Sequence, residues 1–167
     1  EELSRACPGV AVSYAGSLLG SFDLLKYGSE EQKKKYLPDI ASGKKLAAFA
    51  VTEAEAGSDI GALKTTATRE KGGYVINGTK QFITNGGEAE IYTVIALTDK
   101  VRGARGASAF IVEKDTPGFS FGRKEKKMGI RASATRELVF EDCLVPAGNI
   151  IGREGMGFIM TLGLFDY

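Results

Sequence analysis

The run YVINGTKQFIT, residues 74–84, is rich in β-branched and aromatic residues and predicts a long β-strand. Asn77-Gly78 interrupts this run, so the pair marks either a hairpin turn or a bulge. Six shorter runs of the same kind lie on either side of it, at 46–51, 65–70, 91–98, 108–114, 118–124 and 137–145. Gly-Gly, Asn-Gly-Gly and Pro-Gly turn signals lie at or between these runs, and no helical pattern separates them. Seven such runs predict an antiparallel β-sandwich or barrel.

Helical patterns flank the β region on both sides. Within residues 1–43, the segment GSLLGSFDLLKYG carries apolar residues at helical spacing. The next segment opens with a capping box from Ser29 to Gln32, and Pro38 and Gly43 predict the end of its helix. The fold class is therefore α+β, with an antiparallel barrel or sandwich between helical segments. The domain boundaries that we expect are 1–45, 46–150 and 151–167.

The composition argues against two classes of protein. The 167 residues include 22 basic and 21 acidic side chains, a balance that argues against a nucleic-acid-binding protein. No apolar run approaches the roughly 18 residues needed to span a membrane. The two cysteines, Cys7 and Cys143, are far apart and form no CxxC motif, which favours a reducing compartment.

The sequence contains no histidine. This absence removes the usual general base, the usual partner of a serine nucleophile and the commonest metal ligand. If the chain takes part in catalysis, the reactive group is a carboxylate, a lysine, a tyrosine or a bound cofactor. We therefore expect no metal site.

The stretch FAVTEAEAGSDIG, residues 49–61, is a candidate binding turn at the end of a strand. Gly57 permits a positive φ, which would point successive N–H groups into one anion-binding concavity. Ser58 adds a hydroxyl and can cap the turn. Alternatively, Asp59 bonds its own backbone, and the stretch is only a capped turn after a strand.

A second window, KQFITNGG at 80–87, places Phe82, Ile83 and Thr84 before a tight turn. An aromatic face, a hydroxyl and free N–H groups would suit a planar ligand, whereas the alternative is a hairpin end with a core aromatic. The basic cluster at 123–127 is interpreted as a solvated loop, with a role near an anionic ligand as the alternative. GREGMG, at 152–157, lacks the Rossmann spacing, and no P-loop motif is present.

Four ordered motifs resemble those of the acyl-CoA dehydrogenase family. They are AVTEAEAGSDIGA (50–62), INGTKQFITNGG (76–87), KMGIRASATRELVFEDCLVP (127–146) and GREGMGF (152–158). Two positions depart from the family pattern: Ala54 replaces the commoner Pro, and Phe82 replaces the Trp of many members. The resemblance runs from about Leu18 to the last residue.

The resemblance implies a helical N-terminal domain, a middle β domain and a helical C-terminal domain, assembled as a homotetramer that binds FAD. It places Phe49, Val51 and Thr52 at the flavin edge and Gly57 and Ser58 beside the pyrophosphate. It places Phe82, Ile83 and Thr84 against the ring. Ser58 should also face the acyl-CoA, and Asp166 matches an acid of the family's acyl-CoA-binding helix.

The resemblance also implies a reaction. In this family a glutamate removes the pro-R α-proton of an acyl-CoA and the β-hydride passes to flavin N5, which gives a 2-enoyl-CoA. That glutamate lies beyond this chain, so we expect no catalytic residue within it and no activity from the chain alone. Electrons would pass to an electron-transferring flavoprotein, in the bacterial cytoplasm or the mitochondrial matrix. The alternatives are a flavin oxidase or monooxygenase of the same family, or a non-catalytic β domain.

Overall fold

The computed structural model describes residues 1–165 and confirms the helical segments at both ends. The helices are α1 (Glu2–Ala6), α2 (Pro8–Tyr27), α3 (Glu30–Ala41) and α4 (Gly157–Phe165). The capping box at Ser29 and Gln32 is present. The helix continues past Pro38 to Ala41, and the Pro38 carbonyl accepts from Ser42 N at 3.0 Å. Gly43, the other predicted end signal, follows the helix end with a φ of 73°. No helix within residues 1–165 is long and apolar enough to cross a membrane.

All seven predicted strands are present, and an eighth adds two residues. The strands are β1 (Ala47–Ala50), β2 (Thr66–Glu70), β3 (Gly73–Thr84), β4 (Ile91–Leu97), β5 (Ala107–Glu113), β6 (Phe119–Lys124), β7 (Thr135–Pro146) and β8 (Ile150–Ile151). The last is too short to show a sequence pattern. Asn77-Gly78 is not a hairpin turn. It lies opposite a bulge of β7, since Ile76 pairs with Cys143 and Gly78 with Phe140, which leaves one extra residue on β7.

The strands form one sheet in the order β6-β7-β3-β2-β4-β5-β8, with β1 paired to β4 beside this path. The α+β class is confirmed, and the described strand path does not close into a barrel. The pairing is mostly antiparallel, as expected, but β1 and β2 each pair with β4 in parallel. Hydrophobic alternation reveals that a strand exists but not the direction of its partner, so the sequence could not show this difference.

Two apolar cores lie on opposite faces of β4 and β5. Tyr92 and Val94 point into one core together with the aromatic side chains of β5, β6 and β7. Ile91 and Ile95, one residue out of phase, point into the other core beneath α2, α3 and α4. The continuous apolar run of β4 is explained by this burial on both faces.

Helix α2 packs directly onto β1 because glycines face the strand. A Cβ on Gly20 would lie 2.5 Å from the backbone nitrogen of Ala48, and one on Gly16 would lie 2.7 Å from Cγ2 of Thr84. The hydroxyl of Thr93 donates to the Gly20 carbonyl at 2.7 Å. The helix is thereby held against the ends of β1 and β3, where the candidate site lies.

Asp23 on α2 is a buried carboxylate without compensation. It is fully buried, and within residues 1–165 neither of its oxygens has a hydrogen-bond partner. Burial raises the pKa of Asp23 from 3.8 to about 6, although the charge of Lys26 opposes the rise. Because the folded protein binds this proton more tightly than the unfolded chain, the free energy of unfolding falls as the pH rises through this interval.

We predict that Asp23→Asn stabilises the chain at pH 7.5 by about 2 kcal/mol, because a neutral amide avoids the cost of burying the charge. The gain should disappear below about pH 3, where Asp23 is protonated in both states. Urea unfolding followed by circular dichroism at both pH values measures the difference. The exposed control Asp115→Asn should change little, and a gain independent of pH would contradict the prediction.

Candidate functional site

Three hydrogen bonds tie the two candidate windows together. The backbone N–H of Gln81 donates to the Thr52 carbonyl at 2.8 Å, and the Lys80 ammonium donates to the Val51 carbonyl at 3.0 Å. At the other end, Asn85 Nδ2 donates to the Ala47 carbonyl at 3.1 Å. The segments 47–52 and 80–85 therefore run side by side in opposite directions, although β1 and β3 form no regular ladder.

A buried ion pair lies where the two segments meet. Lys80 is fully buried, and its Nζ lies 2.7 Å from Oε1 of Glu53, which is itself 7% exposed. Glu53 also accepts from the backbone N–H of Lys64 at 2.7 Å and of Thr65 at 3.1 Å. Glu53 thus joins the end of β1, the core of β3 and the start of β2, and both of its oxygens accept hydrogen bonds.

The two groups of this pair shift each other's pKa. Burial alone would raise the pKa of Glu53, but the charge of Lys80 and the hydrogen bonds from Lys80, Thr65 and Lys64 outweigh it and hold that pKa below its ordinary value. Burial lowers the pKa of Lys80, and the charge of Glu53 opposes this lowering. Each charge therefore favours the charged form of the other, and the Glu53 carboxylate is bound by Lys80 and by two backbone N–H groups, which indicates a structural role.

Phe82 occupies a strained position at a bulge of β3. The register against β7 shifts between Lys80 and Ile83, and Phe82 has a φ of 56°, a left-handed conformation that is costly for an aromatic residue. The bulge reverses the inside-outside alternation, so Ile83 enters the core while Phe82 is 61% exposed. The hypothesis of a hairpin end with a core aromatic is wrong for Phe82.

The other predicted ring contacts differ in what they offer a ligand. Thr52 and Thr84 are partly exposed, and neither hydroxyl has a hydrogen-bond partner within the described part of the chain. Phe49 and Val51 pack into the core beneath the helices. The structure brings these residues together with Phe82, so that an exposed ring and two unengaged hydroxyls lie at the joined ends of β1 and β3.

The turn after β1 has the geometry of the alternative interpretation, a capped turn in which Asp59 bonds its own backbone. Glu53 and Ala56 bond each other's backbone at 2.9 and 3.2 Å, which closes a tight turn. Gly57 does not adopt a positive φ, so the expected concavity of N–H groups is not formed through it. The Asp59 carboxylate caps the following turn by accepting from Gly61 N at 2.9 Å, and Ser58 is not the cap. An Asx turn needs only the short Asp side chain, which explains why it takes this role.

Ser58 is exposed, and its hydroxyl has no hydrogen bond among residues 1–165. Its side chain is therefore available to a ligand. Asp166, the other residue expected at the substrate, lies outside the residues that the structure describes.

Two site residues were not identified from the sequence. Lys80 shares the spacing of the buried Tyr74 and Ile76 along β3, so strand alternation already placed it on the core face. Asn85, with a φ of 63°, donates to the Ser13 carbonyl at 2.8 Å as well as to Ala47. An Asn before Gly-Gly is a turn signal, but its contacts with α2 and β1 have no local sequence signature.

We predict that Lys80→Met lowers the free energy of unfolding by about 3 kcal/mol, because it leaves the Glu53 carboxylate buried without its counter-ion. The matched control Lys33→Met removes a more exposed pair with Glu30 and should cost less than about 0.5 kcal/mol. Urea unfolding at pH 7 measures both. Equal stability of the two variants would contradict the prediction.

The double variant Glu53→Leu/Lys80→Met tests whether Glu53 stabilises the fold through its backbone hydrogen bonds as well as through the ion pair. Apolar replacement of both partners often restores stability. Here it should not, because the N–H groups of Lys64 and Thr65 lose their acceptor. Recovery of wild-type stability in the double variant would show that those two bonds contribute little.

Comparison with known proteins agrees with this geometry. The sequence model described as "Acyl-CoA dehydrogenase, middle domain" matches residues 48–143, and the one described as "Acyl-CoA dehydrogenase, N-terminal domain" matches residues 1–44. The short-chain-specific acyl-CoA dehydrogenase of Clostridium acetobutylicum is 51% identical over 168 residues, which cover 99% of this chain and 44% of the relative.

Solved structures show the same similarity. The butyryl-CoA dehydrogenase of Megasphaera elsdenii superposes with a TM-score of 0.96 at 46% identity and covers 99% of this chain and 44% of its own. An acyl-CoA dehydrogenase of Bacillus anthracis, solved in complex with FAD, superposes with a TM-score of 0.91 at 45% identity and covers 99% and 28%. The chain spans less than half the length of these relatives, and it belongs to the acyl-CoA dehydrogenase family.

Proposed function

We propose that this chain supplies the flavin-binding sheet edge of a FAD-dependent acyl-CoA dehydrogenase, which oxidises an acyl-CoA to a 2-enoyl-CoA. The observation that carries the proposal is that the segments 47–52 and 80–85 lie side by side, with the exposed Phe82 side chain and the unengaged hydroxyls of Thr52 and Thr84 on them. Membership of the family agrees with this activity, and a relative of known structure binds FAD.

The groups at these strand ends fit a planar ring with polar edges. Phe82 offers an apolar face, and its strained backbone turns the ring away from the core. Thr52 and Thr84 each offer a hydroxyl that can donate to a ring nitrogen or oxygen. The Thr84 methyl group faces Gly16 of α2, which leaves the hydroxyl on another side of its Cβ. Ile83 is buried, so its contact with a ring would be through its backbone.

In this proposal, FAD and the side chains of this chain have different roles in the reaction. FAD, when bound, supplies the two-electron acceptor for the hydride that leaves the β-carbon. The chain positions the ring between Phe82 and the Thr hydroxyls, and the Lys80–Glu53 pair keeps the two segments in register. Glu53 is not the base that takes the α-proton, because it is buried and already accepts three hydrogen bonds. The base lies outside this chain.

Ser58 faces both the pyrophosphate side of FAD and the acyl-CoA in this proposal, with Gly57 beside it and Asp166 on the substrate side. The helical segment 1–45 and the start of a further helical domain at 151–167 flank the β domain at 46–150. The complete enzyme is a homotetramer that passes its electrons to an electron-transferring flavoprotein, in the bacterial cytoplasm or the mitochondrial matrix.

The proposal predicts that Thr84→Val slows flavin reduction about tenfold, because a hydroxyl aimed at the ring stabilises the charge that develops as hydride arrives. Valine keeps the β-branched shape and the methyl contact with Gly16, so the fold should be unaffected. Stopped-flow reduction of the complete enzyme by a saturating acyl-CoA measures the rate, with flavin content and melting temperature as controls. Thr68→Val, on the exposed face of β2, is the matched variant. A wild-type rate with bound flavin would show that Thr84 is only a strand residue.

We also predict that Ser58→Ala weakens the binding of FAD or of acyl-CoA by about 1 to 2 kcal/mol, the scale of one hydrogen bond to a polar or charged partner. Ser58 makes no hydrogen bond within the described residues, so the melting temperature of the flavin-free protein should not change. Flavin titration and the KM for acyl-CoA measure the effect. If both stay at wild-type values, Ser58 contacts neither ligand.

A further inference from the structure

A cavity lies beside the loop that joins β6 to β7. Its volume is about 540 Å³, and its lining consists of Lys124, Glu125, Lys126, Lys127, Met128, Arg131 and Ser133. None of these residues belongs to the flavin-facing segments 49–52 and 82–84. The cavity therefore has its own chemistry, which the proposed function does not use.

Positive charge at this cavity is only partly neutralised. Lys126, Lys127 and Arg131 have no ion-pair partner within residues 1–165, and Lys124 is paired with Glu88 at 3.2 Å on the rim. Arg131 Nε donates to the Lys127 carbonyl at 3.0 Å, which holds the guanidinium over its own loop. Cations gathered in this way repel one another, and an anion between them would relieve that repulsion.

Ser133 provides a hydrogen-bond donor at the same cavity. The residue is 1% exposed, and its hydroxyl has no hydrogen-bond partner among the described residues. A buried hydroxyl without a partner costs free energy, and structures rarely leave one unexplained. A ligand that entered the cavity and accepted a hydrogen bond from Ser133 would remove this cost.

The backbone fixes the loop at both ends. Glu125 N donates to the Thr135 carbonyl at 2.9 Å, and Ser133 N donates to the Ile130 carbonyl at 3.1 Å. Ile130 has a φ of 54°, which is unfavourable for a β-branched residue. The bonded loop ends hold the cations of residues 126–131 and the Ser133 hydroxyl on a common cavity.

We propose that this cavity binds a phosphate group, carried by free orthophosphate or by a small phosphorylated molecule. Ser133 donates a hydrogen bond to one phosphate oxygen, and Lys126, Lys127 and Arg131 balance its charge. Ser133 lines the cavity and is recessed, which favours a small anion as the ligand over a carboxylate anchored on the surface of a partner protein. Glu125 is the one carboxylate in the lining, and it is outnumbered by four cationic side chains.

The test is an NMR titration of the 167-residue chain with orthophosphate, in which chloride is exchanged for phosphate at constant ionic strength. We expect saturable shifts of the backbone amides centred on residues 126–133. Ser133→Ala and Lys127→Gln should each raise the dissociation constant about tenfold, the effect of one lost charge-assisted hydrogen bond. Lys71→Gln makes the same charge change at an exposed site away from the cavity and should leave the constant unchanged.

Two further titrations identify the source of the phosphate. Tighter binding of ADP than of orthophosphate assigns the site to a phosphorylated molecule, and equal binding assigns it to the free ion. The proposal is overturned if orthophosphate gives no saturable shifts, or if Lys71→Gln weakens binding as much as Lys127→Gln. It is also overturned if only a Glu-rich peptide shifts the loop, since the cavity would then be part of an interface for acidic proteins.

Discussion

The buried Lys80 ammonium group is the contact on which the candidate site depends. Strand β1 pairs with β4 and not with β3, so no ladder of backbone hydrogen bonds places 47–52 beside 80–85. Polar side chains hold the two segments together instead: Lys80 bonds to Glu53 and Val51, and Asn85 bonds to Ala47. Charge-assisted bonds in a dry environment are short and directional, so they can replace a ladder where the strand must bulge.

The bulge concentrates strain where the ligand would lie. Phe82 and Asn85 both adopt positive φ, at a cost of about 1 to 2 kcal/mol each. Asn85 recovers part of this cost through its bonds to Ser13 and Ala47. Phe82 recovers nothing from the core, because most of its ring is exposed. Strained residues cluster at ligand sites, so the strain at the exposed Phe82 supports the proposal that its ring faces a ligand.

Local patterns in the sequence predicted the strands, the capping box at Ser29 and the α+β class, because alternation and capping depend on neighbouring residues. The parallel pairing of β1 with β4 could not be predicted, since it depends on residues far apart in the chain. The sequence left the conformation of Gly57 open, because glycine permits a positive φ without requiring one. The site residues came from the resemblance. The structure brings the two windows together and adds Lys80, whose burial was implied only by its place in the alternation of β3.

The central claim is that the joined ends of β1 and β3 form the flavin-binding edge. A crystal structure of the complete enzyme with FAD tests it most directly. The account predicts a flavin ring within about 4 Å of the Phe82 side chain and within about 3.2 Å of the Thr52 or Thr84 hydroxyl. It also predicts that the Lys80–Glu53 pair is unchanged. A flavin bound elsewhere, with Phe82 packed against another part of the protein, would contradict the account.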